Sequence, residues 1–178
     1  MRFLFLIFIF STASFSAQKI EWRDNESLEW TDFKSNKNTS TKMDVAASTN
    51  CGWEIEAEFS TDLSQPIDFK IVTYFHQHKS WKDNSKINEY ILNHEQKHFD
   101  IAEIYARKIR KKVAEKIKNA ADYHKHFKVL YAQISKDYKD FQRKYDLETK
   151  HGMNEEKQQE FNLKIAQELE HLKSYKKS

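Results

Sequence analysis

Three residue types are scarce in this chain, which has one cysteine, one proline and two glycines among 178 residues. The lone Cys51 excludes an internal disulfide. A domain without such a crosslink has to be held together by its apolar core or by a bound metal. The absence of cysteine pairs therefore directs attention to the histidines and carboxylates as possible metal ligands.

An excess of charge of one sign is also missing, because 30 basic residues face 27 acidic ones and leave a formal net charge of +3. Lysine and glutamate are interleaved, and no concentrated basic stripe with aromatic residues is present. This pattern argues against nucleic acid as the main partner. The basic run Arg107–Lys118 spreads its charges around most of a helix, which favours a solvated face over contact with an acidic envelope surface.

Long apolar runs are absent except at the N-terminus. Arg2 precedes the apolar segment Phe3–Phe10, and a tail of small residues follows it up to Ala17. This order is typical of a secretory signal peptide, and the apolar part is too short to span a bilayer. We expect residues 1–17 to be a signal peptide and residues 18–178 to form one secreted or periplasmic domain, with no stable membrane span after cleavage. An N-terminal membrane anchor is the alternative.

The composition shifts near Ser80, from alternating strand-like segments to helical periodicity. Residues 51–60 alternate apolar side chains with glutamates, and Ile67–His76 has the composition of a second strand. Residues 43–49 are a possible third strand, and residues 28–35 are a loop or an edge strand. These segments predict a small antiparallel sheet.

The second half predicts three long helices, so the fold class is α+β, with the sheet followed by the helices. Asp83, Asn84 or Ser85 can cap a first helix that runs to about residue 119. A second helix covers about residues 124–149. Gly152 then breaks the chain, and Asn154 can cap a third helix that ends near residue 175. A helical hairpin or coiled coil is the alternative for this half, although its heptads are short.

The segment Leu92–Ile101, "LNHEQKHFDI", contains two histidines four residues apart with a glutamate after the first. On a helix, His94 and His98 share one face, in the middle of an apolar stripe that should be buried. Two buried imidazoles cost free energy unless their nitrogens are satisfied, and one zinc ion satisfies both. Glu95, beside that face, would be the general base. The H-E-x-x-H pattern thus favours the helical half of a zinc hydrolase site.

Longer segments around this motif resemble a known family. "HEQKHFDIAEIYARKIR", together with "LEWTDFK" and "SW" upstream and "YDLETKHG" downstream, resembles a bacterial family of uncharacterised domains described as predicted secreted zinc-dependent proteases. The resemblance implies a zincin-like metallopeptidase that acts on a peptide or protein substrate, with one zinc per chain, His94 and His98 as ligands and Glu95 as catalytic base. It excludes methionine-turn zincins, because Ile101 and Ile104 replace the glycine and third histidine of that pattern.

A third zinc ligand is required, and we assign it to His151. Gly152 follows this histidine in a turn between helices, where an exposed ring could be aimed at a neighbouring helix, and both belong to the downstream motif of the resemblance. Asp100 and Glu103 point about 200° and 140° away from His98 on the same helix. A solvated cap residue is the alternative interpretation of His151. Three glutamates of the third helix also remain possible as the ligand: Glu155, Glu156 and Glu160.

The strand Ile67–His76 directly precedes the motif helix, so we expect it to be an edge strand on which an extended substrate could pair. Two other functions remain open beside the peptidase. One is a zinc-stabilised, non-catalytic protein of envelope binding or assembly, and the other is a metal-free helical interaction domain.

Overall fold

The structure, a computed structural model, describes residues 19–36 and 45–177. The expected signal peptide, residues 1–17, lies outside these ranges. Within them, no helix combines the length and the apolar character that crossing a lipid bilayer requires.

The main sheet has three antiparallel strands in the order β1-β4-β3. Strand β3 (Cys51–Glu58) alternates half-buried and exposed side chains from Trp53 onward, as its sequence predicts. Strand β4 (Asp68–His76) lies in the middle, because β1 (Lys19–Glu21) pairs with its second edge. The expectation that Ile67–His76 forms an edge strand is therefore wrong. The N-terminal segment forms an additional strand, which pairs with the last three residues of β4.

A separate pair of short strands lies next to the sheet. Strand β2 (Ala47–Ser48) pairs with β5 (Trp81–Lys82) in antiparallel register. The possible third strand at residues 43–49 is thus confirmed only as two residues, and its partner is not the main sheet. Residues 28–35, predicted as a loop or an edge strand, contain one 3-10 turn at Trp30–Asp32 and a single bridge from Ser35 to Trp81.

The second half consists of three long helices, which confirms the expected α+β class with a small antiparallel sheet. The first helix packs against the sheet and against both of the other helices, so it lies at the centre of the fold. The helices are α1 (Glu89–Lys116), α2 (Ala120–Thr149) and α3 (Glu155–His171).

Each of the three helices begins after an asparagine whose side chain accepts a hydrogen bond from the first turn. These caps are Asn88, Asn119 and Asn154, and only the last was predicted. The predicted cap at residues 83–85 is wrong. Asp83 instead accepts hydrogen bonds from the backbone N–H and the hydroxyl of Ser85, which closes a turn ahead of the helix.

Apolar side chains of α1 contribute to the core on two sides. Ile101 packs among the three helices with Tyr145 and Phe161, and all three side chains are at most 4% exposed. Ile109 packs against the sheet at Ile71. The N-terminal half of α1, which carries the H-E-x-x-H motif, is thereby held between α2, α3 and the β2 segment, which consists of residues 45–50.

Candidate metal centre

The middle of helix α1 carries two histidines whose rings meet. His94 is 2% exposed and the side chain of His98 is 13% exposed. Their Nε2 atoms lie 3.2 Å apart. The spacing of four residues places both rings on the same, inward face of the helix, as the sequence predicts.

An aspartate from helix α2 adds a third donor atom to this pair. Asp146 Oδ1 lies 2.9 Å from His98 Nε2 and 3.3 Å from His94 Nε2. Together with the 3.2 Å between the two rings, these distances describe a nearly equilateral triangle. Tetrahedral ligands at about 2.0–2.1 Å from zinc are separated by about 3.3–3.4 Å. The three atoms therefore have the size and donor chemistry of one face of a tetrahedral zinc site.

The electrostatics of the triangle favour a positive charge between its atoms. Burial lowers the pKa of His98, but the hydrogen bond and charge of Asp146 outweigh it and raise this pKa from 6.5 to about 9. Burial raises the pKa of the Asp146 carboxyl, yet the hydrogen bonds from His94 and His98 bring it well below its usual range. A divalent cation bound at this cluster would have to displace the proton on His98, because histidine binds a metal only as the neutral imidazole.

Two packing contacts fix the ring of His94. Tyr145 stacks on it, with ring centroids 4.7 Å apart and planes inclined by 17°. Gly152 also approaches this side chain, and an added Cβ would stand 3.1 Å from His94 Cβ and 3.2 Å from Cγ. Its φ of +85° is also in the region that favours glycine. Gly152 is thus more than a helix stop, because its lack of a side chain makes room for His94.

Glu95 lies beside the triangle and is 4% exposed. Its Oε2 atom is buried and has no hydrogen-bond partner among residues 19–36 and 45–177. An unpaired buried carboxylate oxygen is costly, so such an atom calls for an explanation.

A cavity of about 520 Å³ opens next to the triangle and is lined by Glu95, the two histidines, Asp146 and the β2 segment. Cys51 forms part of its wall, with Sγ 3.4 Å from the carbonyl oxygen of His98. Burial raises the pKa of this thiol from 9.0 to about 12, so it is not a nucleophile near neutral pH.

His151, predicted as the third ligand, lines the same cavity at its outer side. Its Nδ1 lies 3.4 Å from Asp146 Oδ1, and its side chain is 35% exposed. It does not belong to the group of donor atoms that all lie within 4.8 Å of one another, which consists of His94, His98 and Asp146. His151 therefore contacts the aspartate of the triangle, and its role as a ligand stays a prediction.

The other carboxylates considered from the sequence lie elsewhere. Asp100 accepts hydrogen bonds from Trp22 and Gln96, and Glu103 faces the sheet, in agreement with their angular positions on α1. The three glutamates at the start of α3 are exposed and outside the donor group: Glu155, Glu156 and Glu160.

Sequence reasoning alone misses Asp146, although it belongs to the segment 145–152 that carries His151. The sequence of α2 does contain an indication that Asp146 faces the motif helix. Gln142 and Asp146 are polar, four residues apart and adjacent to the aromatic positions Tyr138 and Tyr145. Polar residues at helical spacing beside a buried stripe indicate a second element that faces the motif helix.

The comparisons with known proteins agree with the resemblance at the level of a family. No curated protein and no solved structure matches this chain significantly. A family model described as "Bacterial protein of unknown function (DUF922)" matches residues 13–152, which include the three donors, Glu95 and His151 but not helix α3. Because this match covers more than half of the 178 residues, the chain belongs to that bacterial family of unknown function.

Proposed function

We propose that the protein is a zinc-dependent metallopeptidase of zincin-like type, in which Asp146 is the third metal ligand beside His94 and His98. The observation that carries the proposal is the triangle of donor atoms, with edges of 2.9, 3.2 and 3.3 Å, next to the unpaired Oε2 of Glu95. Three protein ligands leave one position of a tetrahedral ion open, as catalytic zinc sites do.

The donor set suits zinc, since it combines two imidazoles with one carboxylate. When bound, such an ion lowers the pKa of a coordinated water towards neutrality and polarises a carbonyl oxygen. The two histidines and Asp146 would hold the ion, and all three line the cavity from helices α1 and α2. The β2 segment lines the same cavity, which offers room for a substrate.

Glu95 is the proposed general base. Its carboxylate belongs to the cavity wall and its Oε2 has no competing partner among the described residues. The Glu95 carboxylate would take a proton from the attacking water and pass it to the leaving amine as the peptide bond breaks.

The β2 segment is the proposed substrate-binding edge, in place of the central strand β4. Ala47 and Ser48 pair with β5 on one side and line the cavity above Glu95. The hydroxyl of Thr49 donates to the Glu95 carbonyl oxygen at 3.3 Å, which ties this segment to the motif helix. An extended peptide offers a ladder of backbone donors and acceptors that can pair with such a strand.

Zinc content and hydrolysis test the proposal together. The purified chain without residues 1–17 should contain one zinc ion, and it should cleave an unstructured protein such as casein until a chelator is added. Glu95→Gln should retain zinc and lose about 100- to 10,000-fold in rate, whereas the exposed Glu89→Gln on the same helix should change neither. If Glu95→Gln cleaves as fast as the parent, Glu95 is not the base.

A zinc-stabilised protein without catalytic activity is the second candidate. It is favoured by His151, whose Nδ1 is 3.4 Å from Asp146 Oδ1 and could become a fourth protein ligand. A closed site of four protein ligands leaves no position for water and serves stability alone. In that case a chelator lowers the melting temperature, and neither the parent nor Glu95→Gln cleaves any substrate.

A further inference from the structure

Two glutamines contact the Nδ1 atoms of His94 and His98, which are the nitrogens that point away from the donor triangle. Gln158 Oε1 lies 3.0 Å from His94 Nδ1, and Gln142 Oε1 lies 2.5 Å from His98 Nδ1. Gln158 is fully buried on α3, whereas Gln142 lies on α2 at the edge of the cavity. Each ring therefore has an amide on one nitrogen and the donor triangle on the other.

The surroundings of both amides determine which end faces the ring. The Nε2 group of Gln158 donates to the Tyr145 hydroxyl at 2.7 Å and to Asn162 Oδ1 at 2.9 Å. The Nε2 group of Gln142 donates to the His98 carbonyl oxygen at 3.0 Å. With the nitrogen engaged in this way, the oxygen of each amide is the end that is turned to the ring.

An amide oxygen can only accept, so each Nδ1 must carry the hydrogen. A neutral imidazole has one N–H, and its other nitrogen then has a free lone pair. We propose that Gln158 and Gln142 are positioning residues that hold His94 and His98 as the Nδ1–H tautomer and aim both Nε2 lone pairs at one ion. This inference rests on the proposed metal site.

With Gln158 as a positioning residue, helix α3 becomes part of the metal centre. Gln158 belongs to α3, which lies outside the residues that the family model matches. Neutral amides stand where many zinc sites have a carboxylate behind the histidine. Asp146 then supplies the only negative charge among the three ligands and their two supporting amides.

Paired substitutions at Gln158 separate positioning from packing. Gln158→Leu removes the acceptor, whereas Gln158→Glu keeps it, and both remove the Nε2 donor to Tyr145 and Asn162. The measurement is the zinc dissociation constant of the full chain, by competition with a chromophoric chelator. We expect Gln158→Leu to weaken zinc binding about 10- to 100-fold and Gln158→Glu to stay within about threefold of the parent.

The exposed neighbour Gln159 provides the matched control, with the same two substitutions. If Gln158→Leu and Gln158→Glu weaken zinc binding equally, Gln158 acts through packing and the inference is overturned. The same holds if the Gln158 variants have the zinc dissociation constants of the Gln159 variants. If the parent itself binds no zinc, the proposed metal site fails as well. If the parent binds zinc, His94→Ala abolishes binding and Gln158→Leu does not weaken it, only the positioning role fails.

A second readout covers the case in which Gln158→Leu does not fold. Gln142→Leu and Gln142→Glu make the same comparison for His98 at a half-buried position. The visible absorption of bound Co²⁺ reports coordination geometry, and we expect it to change with Gln142→Leu and to return with Gln142→Glu. An unchanged spectrum in both variants, with unchanged zinc affinity, would contradict the positioning role.

Discussion

Helix α1 buries two glutamates that differ sharply in their surroundings. Glu95 is 4% exposed and Glu103 is 2% exposed, and both lie on the same helix, eight residues apart. Glu103 uses both of its oxygens in hydrogen bonds and ion pairs. Glu95 leaves Oε2 without a hydrogen-bond partner among the residues that the structure describes.

The partners of Glu103 come from α1 itself and from the sheet. Arg107 donates to it at 2.9 Å, Arg110 at 3.0 Å and the Thr73 hydroxyl at 2.6 Å. Arg107 Nη2 has no hydrogen bond to the described part of the chain, and it lies 3.8 Å from a carboxylate oxygen of Asp24. Each charged side chain of this cluster thus lies next to one of opposite charge. The hydrogen bond from Thr73 to Glu103 connects the cluster on α1 to strand β4.

The contrast separates a cluster whose charges are paired from one that belongs to the proposed metal site. Buried charges that are paired and hydrogen-bonded have their desolvation cost offset by their partners. Around Glu95, three lone-pair donors converge and a carboxylate oxygen is left open. The donors of this second cluster are arranged so that one cation would contact all three of them.

Substitution of Asp146 should give the largest loss of zinc affinity, because it removes one of the three proposed ligands. We expect Asp146→Ala to weaken zinc binding by at least about 1,000-fold, equivalent to about 4 kcal/mol. Asp140→Ala is the matched control, since Asp140 lies on the same helix and pairs with Lys136. Equilibrium dialysis of both variants makes the comparison. A parent-like affinity in Asp146→Ala would exclude the proposed ligand set.

Neutralisation of Glu103 should give the next largest effect, on stability instead of on metal binding. Glu103→Gln leaves Arg107 and Arg110 without their anionic partner in the interior. Loss of one member of a buried ionic cluster costs about 3 kcal/mol of unfolding free energy or more. Urea unfolding with a chelator present measures this cost. The folded variant should still bind zinc with the parent affinity, and a loss of affinity would show that the two clusters are coupled.

The same substitution at Glu95 should change stability in the opposite direction. Glu95→Gln removes a buried charge that has an unpaired oxygen, so we expect the unfolding free energy without metal to rise by about 1 kcal/mol. The urea series used for Glu103→Gln measures it. A destabilisation as large as that of Glu103→Gln would mean that Glu95 is also a structural residue.

Much of the fold could be predicted because it depends on local periodicity. The alternation in β3 and the helical stripe of α1 are visible in the sequence, and the α+β class follows from them. The central position of β4 could not be predicted. It depends on pairing with Lys19–Glu21, a contact across more than fifty residues that leaves no periodic signal.

The candidate site was predictable to the extent that it lies on one helix. The grouping of His94, Glu95 and His98 follows from helical spacing, whereas Asp146 comes from a second helix. Its contribution depends on how α2 packs against α1, and that packing is set by aromatic contacts such as the Tyr145–His94 stack. The spacing of residues along the chain does not predict the distance between Asp146 on α2 and the histidines on α1.

Substitution of His151 should give the smallest loss of zinc affinity, because Asp146 already supplies the third donor atom of the triangle. His151 stands in a turn where it and Lys150 both have positive φ, of 54° and 51°. Its 35% exposed ring reaches Asp146 Oδ1 at 3.4 Å. In this arrangement the ring can support the aspartate from outside, and a partly exposed contact of this kind contributes little.

We therefore expect His151→Ala to weaken zinc binding less than about threefold, well below the loss of Asp146→Ala. His171→Ala serves as the control, since His171 is an exposed histidine at the end of α3. The same equilibrium dialysis ranks all three variants. If His151→Ala loses as much affinity as Asp146→Ala, then the ligand assignment made from the sequence is right. The zinc ion would in that case have four protein ligands, which leaves no open position for water and favours the non-catalytic candidate.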